Sequence, residues 1–180
     1  MMNLAEEPIL IEQARHDPEA FAVLYQHHLR PVYNYLFRRV GSVQEAEDLT
    51  AQVFTEALEG LLNGRFHGGS FAAWLFTIAR RRAADYYRQH NPSALAELGD
   101  PMSADSEPLA SIEERDTRER LERLLAELDD EKQELLRLRF SAGLSFSEIA
   151  QIKRSTEAAI KMAFYRLLDW LRTNWEVKNG

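Results

Sequence analysis

The stretch LSFSEIAQIKRSTEAAIKMAFYRLLDWLR, residues 144–172, decides how the rest of the chain is read. Ser145 and Glu148 have capping-box spacing, so a short helix starts there and buries Phe146, Ile149 and Ala150. Lys153, Arg154 and Ser155 make a short turn, with Ser155 placed to cap the next helix and Glu157 complementing its dipole. In that helix Ile160, Phe164, Leu167, Leu168, Leu171 and Trp175 recur as one apolar stripe. Ala158, Lys161, Met162, Tyr165, Asp169 and Arg172 fall on the opposite face. A slim, polar amino end flanked by cations suits a helix that enters the major groove while basic side chains hold phosphates. The plainer alternative is a helical hairpin with a solvated face; the basic bias and the short turn favour DNA binding.

Moving toward the amino end, helices are expected over 131–141 and 112–127, with Asp130–Gln133 and Ser111–Glu114 as start signals. Residues 91–110 contain Pro92, Pro101 and Pro108 among Ser, Asp and Gly, the composition of a flexible linker. Before it the pattern predicts helices over 4–15, 18–29, 31–40, 43–60 and 70–89, with a break or kink at Pro31 and a glycine-containing loop over 61–69. Asp17 before Pro18 and Ser42 before Glu45 mark two of the starts. Strand signal is slight. The expected architecture is all-α: two small helical domains, 1–90 and 112–180, joined by an acidic linker over 91–111.

In GSFAAWLFTIARRRAADYYRQH, residues 69–90, Phe71, Leu75, Ile78, Ala79 and Tyr86 face one way. Thr77, Arg81, Ala84 and Arg88 recur on roughly the other face, flanked by Arg80. Arg82 falls on the apolar side and is expected to pair with an acid or to snorkel. Such a cationic stripe attracts phosphate, and nearby rings could receive an unstacked base. On this helix alone the better reading is a solvated charged face over a core holding Trp74, Phe76 and Tyr87. In residues 41–61, Leu49, Val53, Phe54 and Ala57 make a core face, and Glu45, Asp48, Gln52 and Glu56 an acidic ridge. That ridge faces solvent in the usual case, or docks a basic partner.

The 180 residues are 45% aliphatic or aromatic and carry a net charge of −7, which would ordinarily argue against nucleic acid. The charge is unevenly placed, however. Residues 91–116 hold seven acids and one base, between locally basic stretches at 80–88 and 153–172. The absence of cysteine excludes disulfides, thiolate zinc sites and thiol nucleophiles. His16, His27, His28, His67 and His90 lack metal spacing, and adjacent His27 and His28 point to different helix faces. With no phosphate loop or nucleophile motif either, neither catalysis, metal nor cofactor is expected. The opening MMNLAEEPIL lacks a secretory pattern and no apolar run approaches a membrane span, so a cytoplasmic protein is expected. Seven residues after Thr173 leave no further C-terminal domain expected.

Taken in order, four segments resemble the extracytoplasmic-function (group IV) sigma factors of bacterial RNA polymerase. FAVLYQHHLRPVYNYLFRRVGS looks like the opening of a sigma-2 domain, and AEDLTAQVF like the family's D-L-T-Q-E-V-F box. FAAWLFTIARRRAADYYR is similar to its W-L-x-x-I-A-x-N-x-x-x-D-x-x-R helix. LAELDDEKQELLRLRFSAGLSFSEIAQI, followed by the candidate recognition helix, looks like sigma-4. The resemblance covers about residues 18–90 and 112–173.

It implies that core RNA polymerase binds through its clamp to the box, here Asp48, Gln52, Phe54, Thr55 and Glu56. The −10 element would be melted and held by Asn63, Arg65, Phe66, His67 and Ser70 of the loop. Trp74, Thr77, Arg80, Arg81, Ala84 and Arg88 of the next helix would share that task. The −35 element would be read by Lys153, Arg154, Ser155, Thr156, Glu157, Ala158, Lys161, Tyr165 and Arg172, with sigma-4 also touching the polymerase flap. The implied partners are core RNA polymerase, promoter DNA and an anti-sigma factor, with no small-molecule substrate and no membrane insertion. Three departures stand out. Ala51 and Gln52 replace the usual Gln and Glu, Arg81 stands at the common Asn position, and Lys153 stands where many members have a turn glycine. A stand-alone helix-turn-helix regulator is the competing reading, and a helical protein–protein module leaves the recognition-helix pattern unexplained.

Overall fold

A computed structural model describes residues 7–90 and 112–179, all of whose regular structure is helical. The elements are α1 (Glu7–Gln13), α2 (Pro18–Val40), α3 (Val43–Leu62) and α4 (Phe71–His90), then α5 (Ile112–Ala126), α6 (Asp130–Leu136), α7 (Phe146–Lys153) and α8 (Glu157–Asn179). A π-helical turn over Arg137–Ser141 follows α6, closed by Ala142 N–H to the Arg137 carbonyl at 3.0 Å. The turn widens where two residues adjacent in sequence, Arg137 and Leu138, are both buried. The proposed linker and the start signal at Ser111 lie outside the described residues.

The start signals act through real caps. Asp17 accepts from Glu19 N–H at 2.9 Å ahead of Pro18. Ser42 accepts from Glu45 N–H, and Ser145 with Glu148 forms the full capping box. Two caps differ from the expected ones by one residue. Asp129, not Asp130, caps α6 by accepting from Lys132 N–H at 2.9 Å. Thr156, not Ser155, accepts from Ala159 N–H at the start of α8. Nor does Pro31 end a helix: α2 runs through it. Proline removes one backbone donor there, but Leu24, His28, Val32, Tyr35 and Leu36 on either side are all buried, and that packing keeps the helix whole.

Helices α2, α3 and α4 pack on one another, and α1 caps α2. Their shared interior holds Leu24, Val32, Leu36, Val53, Phe54, Leu61, Leu75 and Phe76. In the second half Leu135, Leu138, Ile149, Ile160, Phe164 and Leu167 pack together. The two interiors form one continuous apolar cluster, because α7 lies against α4 and the π-turn against α2. The halves expected as separate bodies are thus in direct contact.

His28 is buried in the first half, 5.4 Å from the Phe71 ring, with no hydrogen-bond partner for Nε2. Burial, and then the His27 charge, push its pKa down from 6.5 to about 4, against a smaller upward pull from Glu148. The unfolded chain therefore binds more protons between those values. Stability is full above the unfolded pKa of ~6.5 and falls as pH drops toward the folded value, by about 3 kcal/mol in all. His28→Leu removes this dependence. In urea melts between pH 7.5 and 4 the variant should gain on the wild type by about that amount as pH falls; a constant difference would refute the assignment.

Candidate nucleic-acid interface

The helix-turn-helix is α7, its turn, and α8. Arg139 fixes the entry to α7: its Nη1 donates to the Leu144 carbonyl at 2.7 Å, and its guanidinium lies 4.7 Å from the centre of the Phe146 ring. The turn itself depends on Arg154, the C-cap of α7, which adopts a left-handed φ of 52°. The left-handed residue is thus one position after Lys153, which stands where many family members have a turn glycine, and a non-glycine residue in that conformation costs on the order of 1 kcal/mol. Lys153 completes α7 instead, half-buried and paired with Glu131.

Beyond the turn, Ser155, Thr156, Glu157, Ala158, Lys161, Tyr165 and Arg172 are all exposed, while Ile160, Phe164 and Leu167 hold the helix to its body. Lys161 pairs with Glu157 at 2.6 Å, an exposed contact that yields readily to a phosphate or base. Arg172 lies 3.7 Å from Asp169. Met162, which the residue pattern places opposite the apolar stripe, is exposed on this surface, and Arg166, which that pattern does not place there, shares it. Their exposure follows from how α8 is rotated on its body.

In the first half, the loop 63–70 turns sharply at Gly68 and Gly69, whose φ values of 95° and 89° favour glycine. Arg15 Nη2 donates to the Phe66 carbonyl at 3.1 Å and ties the loop to the end of α1. Asn63, Arg65 and His67 are exposed. Phe66 is not: its ring is buried against Phe71 and Trp74, so it shapes the loop from beneath rather than receiving a base. Ser70 caps α4 by accepting from Ala73 N–H at 3.2 Å.

Trp74 is half-buried over Gly60, where an added Cβ would stand 2.7 Å from its Cζ2. Gly60→Ala must therefore displace the ring, at a cost of about 1–3 kcal/mol. A lower melting temperature with an altered near-ultraviolet dichroism band is expected; an unchanged band would contradict the contact.

On α4, Thr77, Arg81 and Arg88 are exposed and Ala84 is half-buried. Arg88 pairs with Asp85 on the same helix. Arg80 turns away from this face, and its Nε donates to Glu134 of α6 at 2.8 Å. Arg82 pairs with Glu56 at 2.8 Å, in line with its place on the apolar side, and Arg81 contacts the same carboxylate. Burial alone would raise the Glu56 pKa, but hydrogen bonds from the two arginines outweigh it and hold the carboxyl below its ordinary range. Glu56 is thus engaged within the fold. On the same helix, Asp48, Gln52 and Thr55 form an exposed stripe that Glu59 extends. Phe54, assigned to the polymerase contact, is buried edge-on to Tyr25 at 4.6 Å and supports the stripe from inside.

No group of side chains able to hold a metal occurs among the described residues, and no helix among them is long and apolar enough to cross a membrane.

Residues 24–92 match the family model for sigma-70 region 2. The chain is 34% identical over 161 residues to the ECF RNA polymerase sigma factor BldN of Streptomyces coelicolor, covering 87% of this chain and 61% of BldN. It is 32% identical over 152 residues to the ECF RNA polymerase sigma factor SigD of Mycobacterium tuberculosis, covering 80% of this chain and 72% of SigD. The fold is similar to that of CnrH, solved in complex with the cytosolic domain of CnrY, with a TM-score of 0.64 and 21% identity over 94% of this chain and 96% of that one. The box, the arginine helix and the helix-turn-helix occur here in one chain and in family order, and with these likenesses they establish that the chain belongs to the ECF RNA polymerase sigma factors of the sigma-70 family.

Proposed function

We propose that this protein binds core RNA polymerase, reads a −35 element with α8 and a −10 element with the loop 63–70 and α4, and assists melting between them. The observation that carries the reading is the exposed amino end of α8. Arg154, Thr156, Glu157, Ala158 and Lys161 lie together there, free of apolar cover, on a helix held down by its other face.

The division of labour follows from chemistry. Asp48, Gln52 and Thr55 present acidic and polar groups suited to a basic polymerase surface. Arg81 and Arg88 supply phosphate contacts, which set register and make affinity salt-dependent. Arg154 and Lys161 supply base contacts in the major groove. Melting is driven by capture of unstacked bases, each lost stacking step costing about 1–2 kcal/mol. The loop 63–70 and the exposed side of α4 would receive them. An anti-sigma factor is a further proposed partner. No step requires a reaction by this chain; nucleotide addition belongs to the polymerase.

The decisive experiment is transcription in vitro from genomic DNA by core polymerase with and without this protein. New start sites that share two spaced motifs are expected. A folded protein that produces none, or that shifts duplex DNA on its own with specific affinity, would favour a stand-alone regulator.

A further inference from the structure

We propose that the −35 reader selects a thymine through the exposed side chain of Met162, which packs on the C5-methyl group of that base in the major groove, with Ala158 and Tyr165 on either side of the contact. The inference rests on the promoter-reading function above and deepens it by naming one base that α8 seeks.

Buried Ile160, Phe164 and Leu167 fix how α8 is turned on its body. Side chains of a helix step round its axis by about 100° per residue. Ala158, Met162 and Tyr165, at i, i+4 and i+7, therefore share one side. Within the first two turns Met162 comes nearest to the direction opposite the buried stripe. Met162 is 55% exposed and Tyr165 58%. The Tyr165 ring is braced by Phe146 at 6.3 Å and Phe164 at 6.0 Å. Lys161 is also drawn aside, to Glu157 at 2.6 Å and towards the Phe146 ring at 6.0 Å. The methionine thus stands at the centre of the surface offered to DNA, with a small alanine one turn before it to admit the base edges.

A surface that read only through charge would have no use for this side chain. Arg154, Lys161 and Arg166 near it can hold phosphates or the acceptors of guanine. A thioether donates nothing and accepts only weakly. The apolar group that the major groove presents is the thymine methyl. Methionine is unbranched and adaptable, so it can follow a methyl group whose position is not fixed in advance. Opposite a G·C pair the same side chain would cover donors and acceptors of the bases and leave them unpaired, which is costly. Discrimination therefore has two sources, the methyl covered in one case and the polar edge deprived of water in the other.

The test deletes single methyl groups from the promoter. Start sites obtained with core polymerase and this protein define the upstream motif, which should contain at least one T·A pair. Each thymidine of that motif is replaced in turn by deoxyuridine, which lacks the methyl and keeps every hydrogen-bonding group. At one position the wild-type holoenzyme should lose about fourfold in transcription, the worth of one buried methyl group. Holoenzyme carrying Met162→Ala should start from a lower rate and not respond at that position, and Met162→Leu should restore most of the response. The side chain is exposed, so both variants should fold and join core polymerase, which a thermal melt and co-purification check. A motif without T·A pairs, or one in which no deoxyuridine has an effect, would overturn the proposal. So would a response of equal size in Met162→Ala, which would assign the effect to sequence-dependent DNA shape instead. Each of those results leaves promoter reading intact. A folded protein that yields no start sites at all would instead sink the promoter-reading function, and the thymine contact with it.

Discussion

Replacing Arg154 and Lys161 together with alanine should lower transcription from a cognate promoter by about a hundredfold or more while leaving core polymerase binding intact. Each good base contact contributes roughly 1–3 kcal/mol of discrimination, and 1.4 kcal/mol is a factor of about ten. Neither side chain supports the fold. Arg154 is exposed at the turn, and the partner of Lys161 is an exposed glutamate one helical turn away. Losing that surface pair alone costs less than about 1 kcal/mol, so a thermal melt should scarcely move. Run-off transcription and co-purification with core enzyme, measured on one preparation, separate the two activities. Undiminished transcription, or loss of polymerase binding, would contradict the role given to α8.

Phe71→Ala should cost about 3–5 kcal/mol of stability, the range for a fully buried phenylalanine. Phe71 is 0% exposed and begins α4. Its ring meets Phe66 at 6.0 Å, Trp74 at 5.7 Å and His28 at 5.4 Å, so one side chain joins α2, the loop and α4. With total stabilities of domains near 5–15 kcal/mol, the variant should be partly unfolded at growth temperature. Phe71→Leu, which keeps most of the volume, should cost far less. Equilibrium urea melts would show the difference as a lower midpoint, and equal midpoints for the two variants would mean that the ring does not join these elements.

Much of the candidate DNA surface is legible in the residue order alone. The apolar stripe of α8 is its buried side, and every residue assigned to the opposite face is exposed. Periodicity reports this directly, since a helix that buries one face must repeat at three and four residues. The one-residue errors have a common cause. Asp129 and Asp130 can both cap, as can Ser155 and Thr156, and only the arriving backbone selects between them. The arriving backbone likewise sets the left-handed conformation at Arg154, one residue after the turn-glycine position that Lys153 occupies. Phe54 reads as core from its spacing and as a contact only through the resemblance, and its burial agrees with the first; Phe66 reads as a contact because it sits in a binding loop. Their neighbours Tyr25, Phe71 and Trp74, distant or on other elements, draw them inward.

What residue order determined alone is the helical architecture, the buried side of each long helix and the basic character of α4 and α8, because local spacing and capping carry those properties. What only the tertiary structure decided is the joining of the two halves. Glu134 reads as one more acid in an acidic helix, yet its partners lie 99, 95 and 54 residues away in Tyr35, Arg39 and Arg80. No periodicity marks such a contact: it depends on how α6 meets α2 and α4, and the burial that makes the carboxylate important exists only once those helices have packed.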